Sequence, residues 1–429
     1  MSLSRLVAKN TLLQIVTKLA TSVIGLVTRK LLTNYLGPVG FGDYIFILSY
    51  VALFGSIADW GTQLVSVREA SRSPQLQPKI FGSAILGRLI LSVVAAVVAL
   101  FALPFLHLSP ALSSLASFSC LLIIVFTLKS SLGIIFETLM RLDRWFFVEI
   151  VASTSTLALF SLGVYFQLPL SWFILFLLIA NFVSSAVALL LALRLSPVAF
   201  RPDLAVVKRL AIASLPMGGV LILFSVYNRI DTLILKVFSS SFAVGIYGLA
   251  YFIFENVIFV AAYLMNATLP VLSRQTEPTA FRRHYQKILD LMLCLSIPAT
   301  LATFFLSPFL VYVISSPQFA LSIPLLRILS FAVFFAFLNH VTGYSLVALG
   351  KQRAYFITSL FVLFFNITLN LIFIPHYGAL AAAWITVGTE AFAQVINTIL
   401  LARALHYLPS YFSFPKTALD FIRTRGKIF

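Results

Sequence analysis

The chain has 429 residues, of which 61% are hydrophobic and only 10% are charged. Soluble domains carry about 25% charged residues, so this composition excludes a soluble enzyme and indicates a polytopic membrane protein. The formal net charge of +17 does not indicate nucleic-acid binding, because the basic residues are spread through short loops. The two cysteines, Cys120 and Cys294, lie in apolar runs and have neither disulfide nor metal-ligand spacing.

Twelve apolar runs are long enough to cross a bilayer, for which about 20 mostly apolar residues are needed. They cover residues 11–36, 44–67, 80–103, 112–140, 145–166, 170–193, 209–236, 243–268, 286–314, 323–349, 354–374 and 379–402. The breaks contain turn-forming residues, as in GPVG at 37–40 and PHYG at 375–378. No small-residue cleavage site follows the first run, so we expect it to be retained as a helix. The sequence predicts an all-α polytopic membrane protein.

The loops between these runs alternate in charge. Most of the 30 basic residues lie in one set of alternate loops and in the tail, whereas the other set of loops contains none. Basic residues in short loops remain on the cytoplasmic side of a membrane. We therefore expect a multi-pass protein of the plasma or inner membrane with both termini in the cytoplasm.

An internal repeat divides the chain near its middle. The pattern Gly42-x-Tyr44 returns as Gly245-x-Tyr247, each time near the start of an apolar run. A repeat of about half the chain in a membrane protein predicts a transporter with two lobes of six helices. The expected lobes are 1–195 and 209–404, with a cytoplasmic linker at 196–208 and a basic amphipathic tail at 405–429 on the inner leaflet.

Charged residues within the apolar runs identify the candidate binding site. A charge at the bilayer centre costs about 2.5–3.5 kcal/mol on insertion scales, so such groups must line a cavity or pair. The cations expected to line a substrate-binding cavity are Lys18, Arg29, Lys30, Arg88, Lys129, Arg229 and Arg327. A cavity richer in cations than in acids suits phosphate or diphosphate. Lys236 has the alternative of extending from its helix end to the headgroups.

Four acids within the runs are candidates for coupling transport to protons or sodium: Asp59, Asp231, Glu255 and Glu390. The alternative is a structural role, in which Arg229 pairs with Asp231 or Glu255. Glu137 and Glu149 are expected to form plain ion pairs with the neighbouring loop that contains Arg141 and Arg144.

The sequence contains no nucleotide-binding motif and no catalytic constellation. GPVGFG at 37–42 has neither Walker nor dinucleotide glycine spacing. We therefore predict no cofactor, no metal site and no catalytic residue, and we expect transport to be secondary.

The twelve helices, the repeat, the LGPVGFGDY turn and the NRIDTLILK stretch resemble one superfamily over about residues 10–404. The chain looks like the polysaccharide branch of the multidrug/oligosaccharidyl-lipid/polysaccharide (MOP) exporters, which includes the Wzx-type O-antigen flippases. This resemblance implies a flippase that moves a polyprenyl-diphosphate-linked oligosaccharide to the outer leaflet by alternating access. The implied partners are that glycan, membrane lipids and, as candidates, polysaccharide-assembly proteins.

Three other functions remain open. Drug–cation antiporters of the same superfamily also have twelve helices and are the main alternative, whereas its lipid II flippases usually have fourteen. A membrane glycosyltransferase or polymerase usually carries catalytic residues in a large external loop. Here the external loops are short, and Asp43 is the only acid in them.

The loop charges predict which residues face each side of the membrane. We expect an impermeant thiol reagent applied to intact cells to label Gln318→Cys and to spare Gln275→Cys, because basic loops stay inside. The reverse labelling pattern would overturn the assignment of the twelve runs.

Overall fold

The computed structural model describes residues 3–195, 202–275 and 277–415. Residues 196–201 of the expected linker and residues 416–429 of the expected tail lie outside this part of the chain. Thirteen α-helices dominate the described residues, which contain no strand. They are α1 Leu3–Asp59, α2 Thr62–Arg72, α3 Gln77–Ala102, α4 Pro110–Ser119, α5 Leu121–Thr138, α6 Leu142–Tyr165, α7 Leu170–Leu195, α8 Leu204–Phe238, α9 Ser241–Ser273, α10 Pro278–Phe305, α11 Ser307–Ile314, α12 Ser322–Ala348 and α13 Gln352–Leu405.

The two longest helices are each bent at a glycine. Gly37 in α1 has φ 61° and ψ −176°, and Gly378 in α13 has φ 56° and ψ −133°. A side chain strongly disfavours these backbone angles, so glycine is the residue that permits both bends. Ten helical stretches in the described chain are long and apolar enough to cross a membrane. Counting the two halves of α1 and of α13 separately gives twelve, so the predicted all-α, twelve-helix fold is confirmed.

Three of the predicted spans are interrupted, which the sequence analysis did not anticipate. The run 112–140 turns at Cys120, the run 286–314 turns at Leu306, and the run 44–67 breaks between α1 and α2. At this last break Gly61 has φ 67°, and a Cβ there would lie 2.9 Å from the backbone nitrogen of Gly218. Two glycines therefore allow the α1–α2 junction and α8 to approach at backbone distance.

The described chain forms two compact units, Met1–Leu233 (unit 1) and Ile234–Phe429 (unit 2), so the boundary falls inside α8. The first part of α8 is fixed to unit 1. Asp203 accepts a hydrogen bond from Lys79 at 2.6 Å, which holds the pKa of this carboxyl below its usual range. The Trp60 indole N–H donates to the carbonyl of Ala211 at 3.2 Å. The division into lobes at residues 196–208 remains a prediction.

Each unit packs around its own helices. In unit 1, α1 packs against α3 and α6, and α5 packs against α3 and α7. In unit 2, α12 packs against α9, α10 and α13. Large apolar side chains such as Phe101, Phe224 and Phe364 are exposed on the surface, as expected of helices that contact lipid.

A short segment after α13, residues 406–415, folds back onto unit 2, and we call it the strap. It is held by Gln286 on α10, whose carbonyl accepts from the Tyr407 hydroxyl at 2.7 Å and from the Ser410 amide at 2.9 Å. The Gln286 amide nitrogen donates to the Ser410 carbonyl at 2.6 Å and to Asp290 at 2.9 Å. One glutamine thus uses its full hydrogen-bonding capacity to hold the strap.

The strap also contacts α13 and covers a thiol. The Tyr411 hydroxyl lies 3.2 Å from that of Thr398, so the strap bridges α10 and α13. Cys294 on α10 donates through its thiol to the Phe414 carbonyl at 3.6 Å, whereas Cys120 is buried in unit 1. Cys294 is therefore a natural reporter of whether the strap is docked.

We expect Gln286→Ala to speed the labelling of Cys294 by a maleimide on the order of a hundredfold, because three hydrogen bonds to Tyr407 and Ser410 are lost, each contributes about 1 kcal/mol, and 1.4 kcal/mol is tenfold. The experiment uses a Cys120→Ser background. Gln275→Ala is the matched control, because the Gln275 side chain donates to the carbonyl of Val271 near the end of α9. Unchanged labelling in Gln286→Ala would show that this glutamine does not hold the strap.

Candidate functional site

A cavity of about 240 Å³ lies within unit 1, among α1, α5, α6 and α7. Two of the seven predicted site cations, Arg29 and Lys129, line it together with the acid Glu149. Its other polar lining residues are Thr28, Tyr44, Ser153, Thr156 and Asn181. The structure therefore brings two cations and one acid from three helices to one cavity.

The bend in α1 brings residues from both halves of this helix into the cavity lining. Gly25, Arg29 and Leu32 recur at helical spacing and share one face of the first half of α1. The chain then reverses at Gly37 and returns Tyr44 to the same cavity from the second half. Tyr44 is buried and its ring packs edge-on against Phe160 of α6. Without the glycine bend, Arg29 and Tyr44 would lie about 22 Å apart on one straight helix, at 1.5 Å per residue.

Lys129 on α5 and Glu149 on α6 form an ion pair at 3.0 Å across the cavity wall. The Lys129 side chain is 14% exposed and the Glu149 side chain is 26% exposed. Both side chains therefore reach the cavity although most of their surface is buried. The expectation that Glu149 pairs with the Arg141–Arg144 loop is wrong. Arg141 bonds to Asp143 instead, because these two side chains lie two residues apart at the start of α6.

Three of the five neutral polar residues around the cavity donate within their own helices. The Thr28 and Thr156 hydroxyls and the Asn181 amide each donate to a backbone carbonyl four residues earlier. The two threonines therefore present oxygen lone pairs, not hydrogens, to the cavity. Two cations against one acid leave a formal charge of +1 among the ionisable lining residues, with tyrosine neutral. Arg29 and Lys129 are thus the strongest donors available to a ligand.

Arg88, predicted to line the cavity, has a different environment. Its side chain is 2% exposed, and its guanidinium lies 3.0 Å from Asp59 and donates to the Ser130 hydroxyl at 2.7 Å. Nearby, Gln63 donates to Glu137 at 2.7 Å, so Glu137 also has a partner other than the loop arginines. Asp59, a predicted ion-coupling residue, is the acid that compensates the buried arginine.

The remaining predicted cations lie outside the cavity lining. Lys18 and Lys30 are exposed on α1, and Arg229 is half-buried on α8. Arg327 donates to Ser307 at 3.2 Å and lies 5.6 Å from the Phe304 ring centroid, so it ties α12 to α10 and α11. Lys236 donates to Ser241 at the start of α9.

The other predicted ion-coupling acids have defined surroundings. Asp231 is 5% exposed and accepts from the Thr232 amide at 2.7 Å. Glu390 on α13 accepts from the Asn339 amide nitrogen at 2.7 Å. Glu255 is half-buried on α9. Their role in ion coupling remains a prediction.

Sequence reasoning missed Tyr44, Glu149 and Asn181 as cavity residues. The repeated Gly42-x-Tyr44 pattern marked the position of Tyr44 without indicating what it faces. Asn181 is an isolated amide in the otherwise apolar α7, which was a usable signal for a polar interior. The pairing of Glu149 with Lys129 depends on how α5 and α6 meet, which helical spacing alone does not determine.

Solved structures with this fold are membrane transporters. The lipid II flippase MurJ in an inward closed conformation has a TM-score of 0.74 at 16% identity, over 98% of this chain and 100% of that one. An inward-facing multidrug MATE transporter of the MOP superfamily has a TM-score of 0.69 at 14% identity, over 95% and 96% of the two chains. A MOP transporter from Pyrococcus furiosus has a TM-score of 0.54 at 16% identity, over 93% and 94%. The chain has the MOP-superfamily transporter fold.

Comparison with sequence families identifies the branch. Residues 7–276 match the family described as polysaccharide biosynthesis protein, and residues 216–372 match the MatE family. No curated protein sequence matches the chain. The chain belongs to the polysaccharide biosynthesis protein family and is a multi-pass transporter or flippase of the MOP superfamily. The resemblance inferred from the sequence is confirmed.

The Arg88–Asp59 pair generates a prediction about stability. We expect Arg88→Ala to destabilise the protein by about 3–5 kcal/mol, because it leaves a carboxylate without its cation in the bundle. Arg209→Ala is the control, since its pair with Glu69 leaves 55% of the arginine side chain exposed and such pairs contribute about 1 kcal/mol or less. Thermal unfolding of detergent-purified variants measures both.

The same variants separate the two roles of Asp59. If the pair is structural, the stability losses of Asp59→Asn and Arg88→Ala are strongly non-additive in the double variant. A structural role for Asp59 would be contradicted if Asp59→Asn kept wild-type stability but lost the ion dependence of transport in vesicles.

Proposed function

We propose that the protein is a flippase that moves a polyprenyl-diphosphate-linked oligosaccharide from the inner to the outer leaflet by alternating access. The cargo is the precursor of a surface polysaccharide such as O-antigen or capsule. The single observation that carries this proposal is the cationic balance of the unit 1 cavity, where Arg29 and Lys129 face one acid. The family match supports the glycan part of the cargo.

The chemistry of the cavity favours a phosphate-bearing ligand. A guanidinium contacts phosphate oxygens with two parallel hydrogen bonds, and an ammonium adds a compact point charge. Such contacts gain strength at side chains that are mostly buried, as Lys129 is, because the effective dielectric there is lower than in water. An organic cation would meet a positively charged lining, which disfavours a drug–cation antiporter.

The size of the cavity limits which part of the cargo it holds. Pockets for drug-sized ligands have about 300–1,000 Å³, and this cavity has about 240 Å³. It therefore suits the charged diphosphate group and not the oligosaccharide. A flippase with this arrangement recognises the constant anionic part of the cargo here and contacts the sugars elsewhere.

We expect Arg29→Ala to reduce flipping of the lipid-linked oligosaccharide in vesicles at least tenfold, while the protein still inserts in the membrane. Arg29→Lys restores part of the rate, because lysine keeps the charge and loses the bidentate geometry. Lys30→Ala is the matched control, since Lys30 is the adjacent cation on α1 and is exposed outside the cavity.

Wild-type flipping in Arg29→Ala, or equal losses in Arg29→Ala and Lys30→Ala, would remove the cavity from the proposed function. The same vesicles loaded with lipid II or with a fluorescent organic cation test the two alternatives. Transport of the organic cation that depends on Arg29 would overturn the assignment of an anionic cargo.

A further inference from the structure

Glu149 is the feature of the cavity that the proposed function does not explain. A carboxylate in a diphosphate site repels the ligand, yet this one lies in the lining with Arg29 and Lys129. Its partner Lys129 retains 14% exposure, whereas Arg88, the cation of the Asp59 pair, retains 2%, so the Lys129–Glu149 pair is the one whose cation a ligand reaches more easily. The acid and the cargo compete for the same ammonium group.

We infer that Glu149 is a cargo-displaceable counter-anion, which neutralises Lys129 in the empty cavity and yields it to the phosphate of the cargo. This inference rests on the proposed function and assigns a specificity-determining residue to the same site. Glu149 then sets a threshold, since an entering anion must replace the 3.0 Å ion pair before Lys129 can bind it fully. A dianionic or more highly charged group competes with one carboxylate more effectively than a monoanion does.

The donor inventory of the cavity supports this exchange. Thr28, Thr156 and Asn181 donate within their own helices, so they offer few hydrogens to a phosphate. Lys129 contributes three ammonium hydrogens, and Glu149 accepts from this group at 3.0 Å. A phosphate that also contacts Arg29 gains most by taking over the position of the Glu149 carboxylate.

The exchange also changes how two helices are held. In unit 1, α5 packs chiefly against α3 and α7, whereas α6 packs chiefly against α1 and α7. The Lys129–Glu149 pair is a direct polar link between α5 and α6. Its release on cargo binding removes this link, while the Phe136–Trp145 ring contact still joins the two helices. Binding of the anion is thereby converted into a change in helix contacts.

The test measures binding of inorganic pyrophosphate to the full-length protein in detergent. We expect Glu149→Gln to bind pyrophosphate about tenfold more tightly than wild type, because glutamine keeps the shape and loses the competing charge. We expect the same variant to flip cargo more slowly, since no counter-anion returns to Lys129 when the phosphate leaves. Glu69→Gln is the matched control, because it alters an equally short glutamate–arginine pair outside the cavity.

The outcomes separate this inference from the proposed function. Equal pyrophosphate affinity in wild type and Glu149→Gln, with affinity lost in Arg29→Ala, would overturn the role of Glu149 and leave the phosphate site intact. Absence of pyrophosphate binding in wild type and in Glu149→Gln would overturn the phosphate site itself. If Glu149→Gln does not fold, Lys129→Ala is the second variant. The inference predicts weaker pyrophosphate binding in folded Lys129→Ala, and wild-type affinity in that variant would overturn it.

Discussion

The structure depends on one constraint: a charged side chain cannot remain inside an apolar helical bundle without a partner or water. Unit 1 meets this constraint in two ways. Arg88 is sealed against Asp59, which fixes α1 to α3. Lys129 pairs with Glu149 at the wall of a cavity, where a ligand can reach both. The first arrangement buries its cation in the core, and the second places its cation in the cavity lining, where we infer that the pair is exchanged.

Backbone geometry places the charges that define the cavity. The glycine at position 37 allows α1 to fold back, so that Arg29 and Tyr44 line the same space. A second glycine contact, Gly61 against Gly218, lets α8 approach the α1–α2 junction. The first part of α8 is therefore carried by unit 1. Small residues decide the architecture at these positions because they permit bends and approaches that side chains would prevent.

The sequence predicted the helices well and their internal breaks poorly. Apolar length determines the spans, and PHYG and GPVG marked the bends in α13 and α1, whereas the break at Trp60–Gly61 depends on contact with another helix. Charge within the spans singled out Arg29 and Lys129, which line the cavity of unit 1. It did not distinguish them from Arg88, because burial against Asp59 is a property of the packed bundle. Proximity in the sequence likewise predicted that Glu149 pairs with the loop that contains Arg141 and Arg144, whereas its partner is Lys129.

The central claim is that the protein carries a diphosphate-linked glycan on the cations of unit 1. Mass spectrometry of the lipid that co-purifies with the wild-type protein tests it most directly. The account predicts a polyprenyl diphosphate bearing an oligosaccharide, retained by wild type and by Lys30→Ala but lost from Arg29→Ala. Recovery of a lipid without a diphosphate, or of the same lipid in all three proteins, would contradict it.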